Sequence, residues 1–306
     1  MLIGVLRKPR LLIVGCGDIG MRLAALLSPR MRVLALTSSE QRVPLLRAAG
    51  LVPLRGDLDH PDTLWRLRGL ARRVAVLAPP PAQGDEDPRS RRLAVILRSA
   101  MIGAGPRGQP LQLVYASTSG VYGDCGGALV KETRPLRPAT ARARRRAHAE
   151  AQWRGLGRAG ARVSILRVPG IYDAAGRSPR ERLRKRLPVA CREQDVYTNH
   201  VHADDLARVV RAALLRGAPQ RVYNACDDTH MLVGDYLELA AQLLGELAPP
   251  RLARDALRHS GLSPMALSML GESRRLDNTR LHAELGVQLR YPDVRSGLAS
   301  DGARPD

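Results

Sequence analysis

Leu11-Leu12-Ile13-Val14 runs without a break into Gly15-Cys16-Gly17-Asp18-Ile19-Gly20. The four apolar residues show no polar alternation, the pattern of a short strand buried on both faces. Ile19, Leu23, Leu26 and Leu27 then recur on one helical stripe, which Ser28-Pro29 closes. A buried strand, a Gly-x-Gly-x-x-Gly turn and a helix in that order make a phosphate cradle. Gly15 permits the tight turn, Gly17 lets a pyrophosphate approach the backbone, and Gly20 lets the helix pack closely on the strand. The helix start, at Asp18, Ile19 and Gly20, offers free amides and the positive dipole end to the anion. The stretch therefore predicts a doubly wound α/β fold with a nicotinamide dinucleotide, NADP or NAD, over the glycine loop.

The pattern continues outward. Strands are predicted at Arg32–Leu36, Val52–Leu54, Val74–Leu77, Leu111–Ala116 and Val163–Leu166. Helices are predicted to end near Ala49-Gly50 and to span Arg89–Met101 and roughly Thr140–Leu156. Strands alternating with helices argue for a parallel sheet covered on both faces. From Gly170 the pattern loosens. Arg177–Arg186 reads as a loop or short helix outside the core, Val209, Val210, Ala213 and Leu214 mark an amphipathic helix, and the tail from about Ser300 reads as frayed.

The choice between the two cofactors rests on the end of the second strand. A carboxylate about 20 residues past the glycine loop would bond the ribose 2′-hydroxyl. Here the chain reads Leu36-Thr37-Ser38-Ser39, with no acid before Glu40. The hydroxyls of Thr37 and Ser38 with nearby Arg42 suit a 2′-phosphate, so NADP is preferred over NAD.

Bulk composition narrows the classes. The 306 residues suffice for one large domain or two small ones, and 44% are hydrophobic. No apolar run has the roughly 18 residues of a membrane span. The apolar start, Met1–Leu6, is too short for a signal-peptide core, so the expected location is cytoplasmic. The formal charge is +20, yet Phe is absent and aromatics make up 3%, which leaves little for base stacking. Arg is scattered over nearly every segment, so no specific nucleic-acid partner is expected, and the charge is read as solubility and steering. Cys16, Cys125, Cys191 and Cys226 lie far apart with no CxxC pair, as free thiols in a reducing compartment would. Cys16 sits at a helix N-terminus, which lowers a thiol pKa. Modification there would block the cofactor, while a small buried filler is the plainer role. His200 and His202 form no closed ligand set, so no metal is expected.

Several later segments, taken with the loop, resemble the extended and atypical short-chain dehydrogenase/reductases, the NAD-dependent epimerase/dehydratase family. Gly56-Asp57-Leu58 is similar to the family's adenine-contacting turn, and Leu77-Ala78-Pro79-Pro80 to the loop under the cofactor. Tyr115-Ala116-Ser117-Thr118-Ser119-Gly120-Val121-Tyr122-Gly123 resembles the segment with the catalytic Ser or Thr, at Thr118. Leu166-Arg167-Val168-Pro169-Gly170-Ile171-Tyr172 resembles the strand beside the nicotinamide, and Asn199–Ala207 and Tyr223-Asn224-Ala225 resemble two motifs downstream. The resemblance implies a Rossmann core at 1–168, rejoined at about 196–225, with 169–306 mainly a smaller substrate lobe and tail. It implies a small-molecule substrate, with a homodimer left open. His200 and His202 would lie in a structural turn, with Asp204 and Asp205 as helix N-terminal acids.

The chain departs from the family at its acid–base pair. The family uses a Tyr and a Lys four residues apart on one helix face. Here those positions hold Arg142 and Arg146. Arginine stays protonated near neutral pH and cannot act as a general acid, although Arg146 can hold a ribose or phosphate. Three readings stay open. The first is an oxidoreductase or epimerase/dehydratase-like enzyme in which another group, with Tyr122 nearest, handles the proton and Thr118 orients the substrate. The second is a non-catalytic NADP-binding regulator or scaffold. In the third, Arg142, Arg144, Arg145 and Arg146 bind a phosphorylated or carboxylated substrate, set against a solvated helix face with an Arg146–Glu150 pair.

Overall fold

The computed structural model describes residues 8–102, 110–173 and 176–302. The apolar start read at Met1–Leu6 lies outside them. Among the described residues no helix is long and apolar enough to cross a membrane. The chain forms two units, 1–117 with 144–166 and 207–222, and 118–143 with 167–206 and 223–306. Segments 118–143 and 196–206, assigned to the core by sequence, thus group with the second unit.

The first unit is built on a parallel α/β pattern. Its elements are β1 (Arg10–Val14), α1 (Asp18–Leu27), β2 (Arg32–Thr37), α2 (Arg42–Ala48), β3 (Val52–Arg55), β4 (Arg73–Val76) and α3 (Pro88–Ile102). They are followed by β5 (Gln112–Thr118), α4 (Ala141–Arg158) and β6 (Arg162–Val168). Within the second unit come β7 (Gly170–Tyr172), α5 (Arg180–Arg184) and β8 (His200–His202). The chain returns through α6 (Ala203–Arg216) and β9 (Arg221–Asn224). The sheet order is β9-β6-β5-β4-β1-β2-β3, and the pairings of β1 with β2 and β4, of β2 with β3 and of β4 with β5 are parallel. The order reverses between β1 and β4, the place where such sheets open a crevice at their carboxyl ends.

The apolar run that opened the sequence sits at the centre of this sheet. Leu11, Leu12, Ile13 and Val14 are all fully buried, as an unalternating strand covered on both faces must be. One face packs Leu12, Val14, Leu34, Val74, Val76, Leu113 and Tyr115 with Leu93 and Leu97 of α3 and Trp153 and Leu156 of α4. On α6, Val209, Val210, Ala213 and Leu214 are buried as their spacing predicts.

Three readings need correction. Leu26 is 38% exposed, while Leu23, Ala24 and Leu27 are buried. Adjacent helical positions are about 100° apart, so the stripe turns away from Leu26 and takes the small Ala24 instead. Ser300 to Gly302 continue a helix that starts at Val294, with 303–306 outside the described residues. The Arg177–Arg186 stretch does contain a short helix, α5, yet Leu183 on it is buried in an apolar cluster with Tyr236, Leu237 and Val294.

Candidate cofactor site

The glycine loop joins β1 to α1 under tight steric terms. Gly15 has φ +85°, and a Cβ there would lie 2.4 Å from the amide nitrogen of Ala78. That amide is fixed, because Leu77 N and Ala78 N both donate to Val14 O, at 2.8 and 3.0 Å. The loop after β4 is thereby pinned to the end of β1, and only glycine fits between them. A Cβ on Gly20 would stand 3.3 Å from Gly15 O and Ile13 Cγ2, the close helix–strand approach expected of the third glycine.

Gly17 differs from both. It caps α1 with φ −76°, no side chain caps the helix start, and a Cβ on it would meet nothing within 4 Å. The first-turn amides have no carbonyl partner inside the helix, so this open backbone face is shaped for an anion.

A cavity of about 340 Å³ opens at the ends of β1, β2 and β4. Gly15, Gly17, Thr37, Ser38, Arg42, Asp57, Leu58, Ala78 and Pro79 line it, all predicted from sequence. Asp18, Ile19, Gly20, Pro80 and Arg146 belong to the same unit but not to its lining. The polar wall is formed by Thr37, Ser38, Ser39 and Arg42. Arg42 is half-buried, and its Nη2 donates to Cys16 O at 2.7 Å, which holds the guanidinium against the glycine loop. Ser39 N donates to Thr37 Oγ1 at 3.2 Å. Glu40, the first acid after β2, is 89% exposed and pairs with Arg55 at 3.5 Å, outside the lining.

One feature of this pocket escapes sequence reasoning. Arg89, at the start of α3, lines it and ties two loops together. Its Nε donates to Asp59 Oδ1 at 2.8 Å, its Nη2 to the other carboxylate oxygen, and its Nη1 to Pro79 O at 3.2 Å. The Arg89 hydrogen bond holds the Asp59 pKa below the usual range. The partners are separated by 30 residues, so no local spacing signals the pair. The Cys16 thiol is buried, as the filler role read from the sequence expects. Burial raises its pKa to about 11, although Arg42 opposes the shift. The lowering expected from the helix end is thus overruled, because the side chain is 5% exposed and packs on Met21 Sδ at 3.8 Å.

Helix α4 carries the arginines that stand at the family's acid–base positions. Arg146 is half-buried, and its Nη1 donates to Ala116 O at 2.7 Å and the Tyr115 hydroxyl at 3.1 Å. Burial pushes that phenol up to about 12, so Tyr115 stays protonated. Glu150 does not take Arg146 as the i, i+4 spacing suggested; it accepts from Ser117 Oγ at 2.7 Å and lies 3.8 Å from Arg154. Arg144 pairs with Asp85 at 3.0 Å, Arg145 donates to Gly84 O, and His148 Nδ1 accepts from Asp87 N at 3.0 Å. These side chains strap the acidic loop that follows β4 to α4.

The remaining predicted residues lie in the second unit. Arg142 is exposed, with Nη1 3.7 Å from Met265 Sδ. Thr118 is half-buried, and its Oγ1 accepts from Gly120 N at 3.3 Å. Tyr122 is 1% exposed, donates to Asn224 Oδ1 at 2.8 Å, and has the Arg167 guanidinium over its ring at 4.6 Å. Its hydroxyl is engaged by that hydrogen bond. Pro169 and Gly170 follow β6, and Gly170 N donates to Asn199 O at 3.2 Å.

The TrkA-N domain family matches residues 11–98, the glycine-loop half of the first unit. The protein YeeZ of Escherichia coli K12 is 28% identical over 290 residues, 92% of this chain and 96% of YeeZ. A conserved protein of unknown function from Silicibacter pomeroyi is 31% identical, with a TM-score of 0.79 over 96% of this chain and 98% of its own. A UDP-glucuronic acid 4-epimerase from Bacillus cereus, solved with UDP-glucuronic acid and NAD, is 17% identical, with a TM-score of 0.73 over 96% of this chain and 98% of its own. The last shows a shared fold.

Proposed function

The chain belongs to one family with the conserved Silicibacter pomeroyi protein, and from that premise we propose that it binds NADP in the cavity over its glycine loop. We further propose an oxidoreductase or epimerase/dehydratase-like reaction on a small anionic or sugar-nucleotide-like substrate. The observation that carries the cofactor reading is the polar wall at the end of β2. Thr37, Ser38, Ser39 and Arg42 stand there, and the first carboxylate, Glu40, points to Arg55 instead. A hydroxyl-and-guanidinium wall favours a 2′-phosphate, whereas a carboxylate there would repel one.

In this reading each residue predicted from sequence takes one part of the dinucleotide. The bare face of Gly17 and the amides of Asp18, Ile19 and Gly20 take the pyrophosphate. Asp57 and Leu58 flank the adenine, with Ala78, Pro79 and Pro80 in the loop below. Arg146, fixed through Nη1, is proposed to hold a ribose hydroxyl or phosphate. Pro169 and Gly170 are the proposed contacts of the nicotinamide end. When bound, that ring gives or takes a hydride, and Thr118 is proposed to hydrogen-bond the reacting oxygen.

A second reading has specific support. Arg142 cannot supply a proton near neutral pH, and the Tyr122 hydroxyl is committed to Asn224. These observations favour a non-catalytic NADP-binding regulator. The cofactor claim is common to both readings. Arg42→Ala should weaken NADPH about 10- to 100-fold, the worth of a charge-assisted contact, and leave NADH within about threefold. Equal losses for both cofactors would remove the 2′-phosphate assignment.

A further inference from the structure

Helix α5 carries Arg180, Arg182 and Arg184 within the basic stretch Arg177–Arg186. Arg177 pairs with Asp173 at 2.9 Å, and Lys185 with Glu181 at 2.6 Å. Arg180 and Arg184 share Glu246, at 2.9 and 3.0 Å. Arg182 has no such partner. Among the described residues it makes no hydrogen bond or ion pair, and its Nε and Nη2 are buried with nothing to donate to.

Burial lowers the Arg182 pKa, and its main electrostatic neighbours are Tyr236 and Asp195. Asp195 is already committed. It is fully buried, accepts from Val196 N and Gly234 N, both at 2.8 Å, and lies 3.4 Å from Arg251 Nη1. Tyr236 stacks on His200 with ring centroids 4.0 Å apart, and His200 Nδ1 is also buried without a partner. Two unmet polar groups therefore flank one tyrosine inside the second unit. Arg182 as a whole is half-buried, but guanidinium nitrogens buried without an acceptor are costly, and such a group calls for an ion or ligand that completes it.

We propose that Arg182 is the anchor of an oxyanion site in the second unit, beside Tyr236 and His200, for a phosphate or carboxylate group of a small molecule. A guanidinium nitrogen donates a charge-assisted hydrogen bond to an oxygen of either group. Nη1, outside the buried pair of nitrogens, is the end through which such a ligand reaches it. His200, held neutral by burial, which lowers its pKa to about 3, adds no positive charge beside the site. The assignment gives a chemical class to the anionic substrate of the proposed function and rests on that reading.

The test is calorimetric titration of the full chain with UDP, inorganic pyrophosphate and malonate, in the wild type, Arg182→Gln and Arg182→Lys. UDP and pyrophosphate present phosphate and malonate presents carboxylate, so the three arms separate the two chemistries. At least one probe should bind the wild type, bind Arg182→Gln roughly 10- to 100-fold more weakly, and bind Arg182→Lys in between. Without ligand, Arg182→Gln should melt higher than the wild type, because it removes a half-buried charge whose Nε and Nη2 have no acceptor. Binding of no probe, binding equal in wild type and Arg182→Gln, or a lower melting point of ligand-free Arg182→Gln would each overturn the proposal. NADPH affinity measured on the same three proteins should not change. Its absence in the wild type would refute the cofactor reading separately.

Discussion

Replacing Gly17 with alanine separates the two jobs that a glycine loop performs. The backbone there has φ −76° and ψ −153°, which alanine adopts freely, and a Cβ would meet nothing within 4 Å. Alanine at a compatible site stabilises by about 0.4–1 kcal/mol through the unfolded chain. As a helix cap it is poorer than glycine by about 0.5–1 kcal/mol. The two nearly cancel, so Gly17→Ala should melt within about 4 °C of the wild type. Its methyl, however, projects from the open face that a pyrophosphate would press against. Loss of one charge-assisted hydrogen bond, about 1.5–3 kcal/mol, weakens NADPH about 10- to 150-fold. Gly15→Ala is the contrasting control. It meets a left-handed backbone, about 1–2 kcal/mol, and the Ala78 amide at 2.4 Å, with overpacking at about 1–3 kcal/mol. It should lose about 2–5 kcal/mol of stability. Differential scanning fluorimetry reads the stabilities and calorimetry the affinities. An unchanged NADPH affinity in a folded Gly17→Ala protein would refute the placement of the pyrophosphate.

Three further expectations follow from single side chains. Asp227 is 1% exposed, its Oδ2 has no partner, and burial raises its pKa from 3.8 to about 8. The folded state therefore keeps a proton that the unfolded chain has lost between pH 4 and 8, so Asp227 makes stability fall as pH rises through that window. Asp227→Asn should melt higher than the wild type at pH 8 and like it near pH 4, and calorimetric melts at both pH values that differ by the same amount would contradict this. Trp153 of α4 is fully buried against the sheet, with its ring 5.9 Å from Tyr115, so Trp153→Ala should cost about 3–5 kcal/mol in denaturant titrations. Arg146→Ala should weaken NADPH more than it weakens adenosine 2′,5′-bisphosphate, and equal effects on both would remove Arg146 from the nicotinamide side of the cofactor.

The glycine loop was legible because every constraint on it is local. An unalternating strand, three glycines at fixed spacing and one amphipathic turn lie within Leu11–Leu27, and the pocket lining follows from the strand ends. The errors and omissions arise where distance along the chain hides the partner. Arg89 and Asp59 are 30 residues apart, and Tyr122 and Asn224 are 102 apart, so neither pairing leaves a periodic trace. Cys16 was legible in position but not in chemistry. Helix end and burial push its pKa in opposite directions, and only packing against Met21 reveals which prevails. The arginines of α4 looked like an anion cluster, because the carbonyl of Gly84 and the carboxylate of Asp85 that engage two of them lie in a loop some 60 residues earlier.

Calorimetric titration of the full wild-type chain with NADPH and NADH, at low and at moderate salt, tests the cofactor assignment most directly. NADPH should bind more tightly than NADH, and its preference should survive the added salt, as a specific 2′-phosphate pocket requires and a diffuse charge effect of +20 does not. Folded protein that binds neither cofactor would contradict the assignment and leave a Rossmann fold with a glycine loop that serves no dinucleotide.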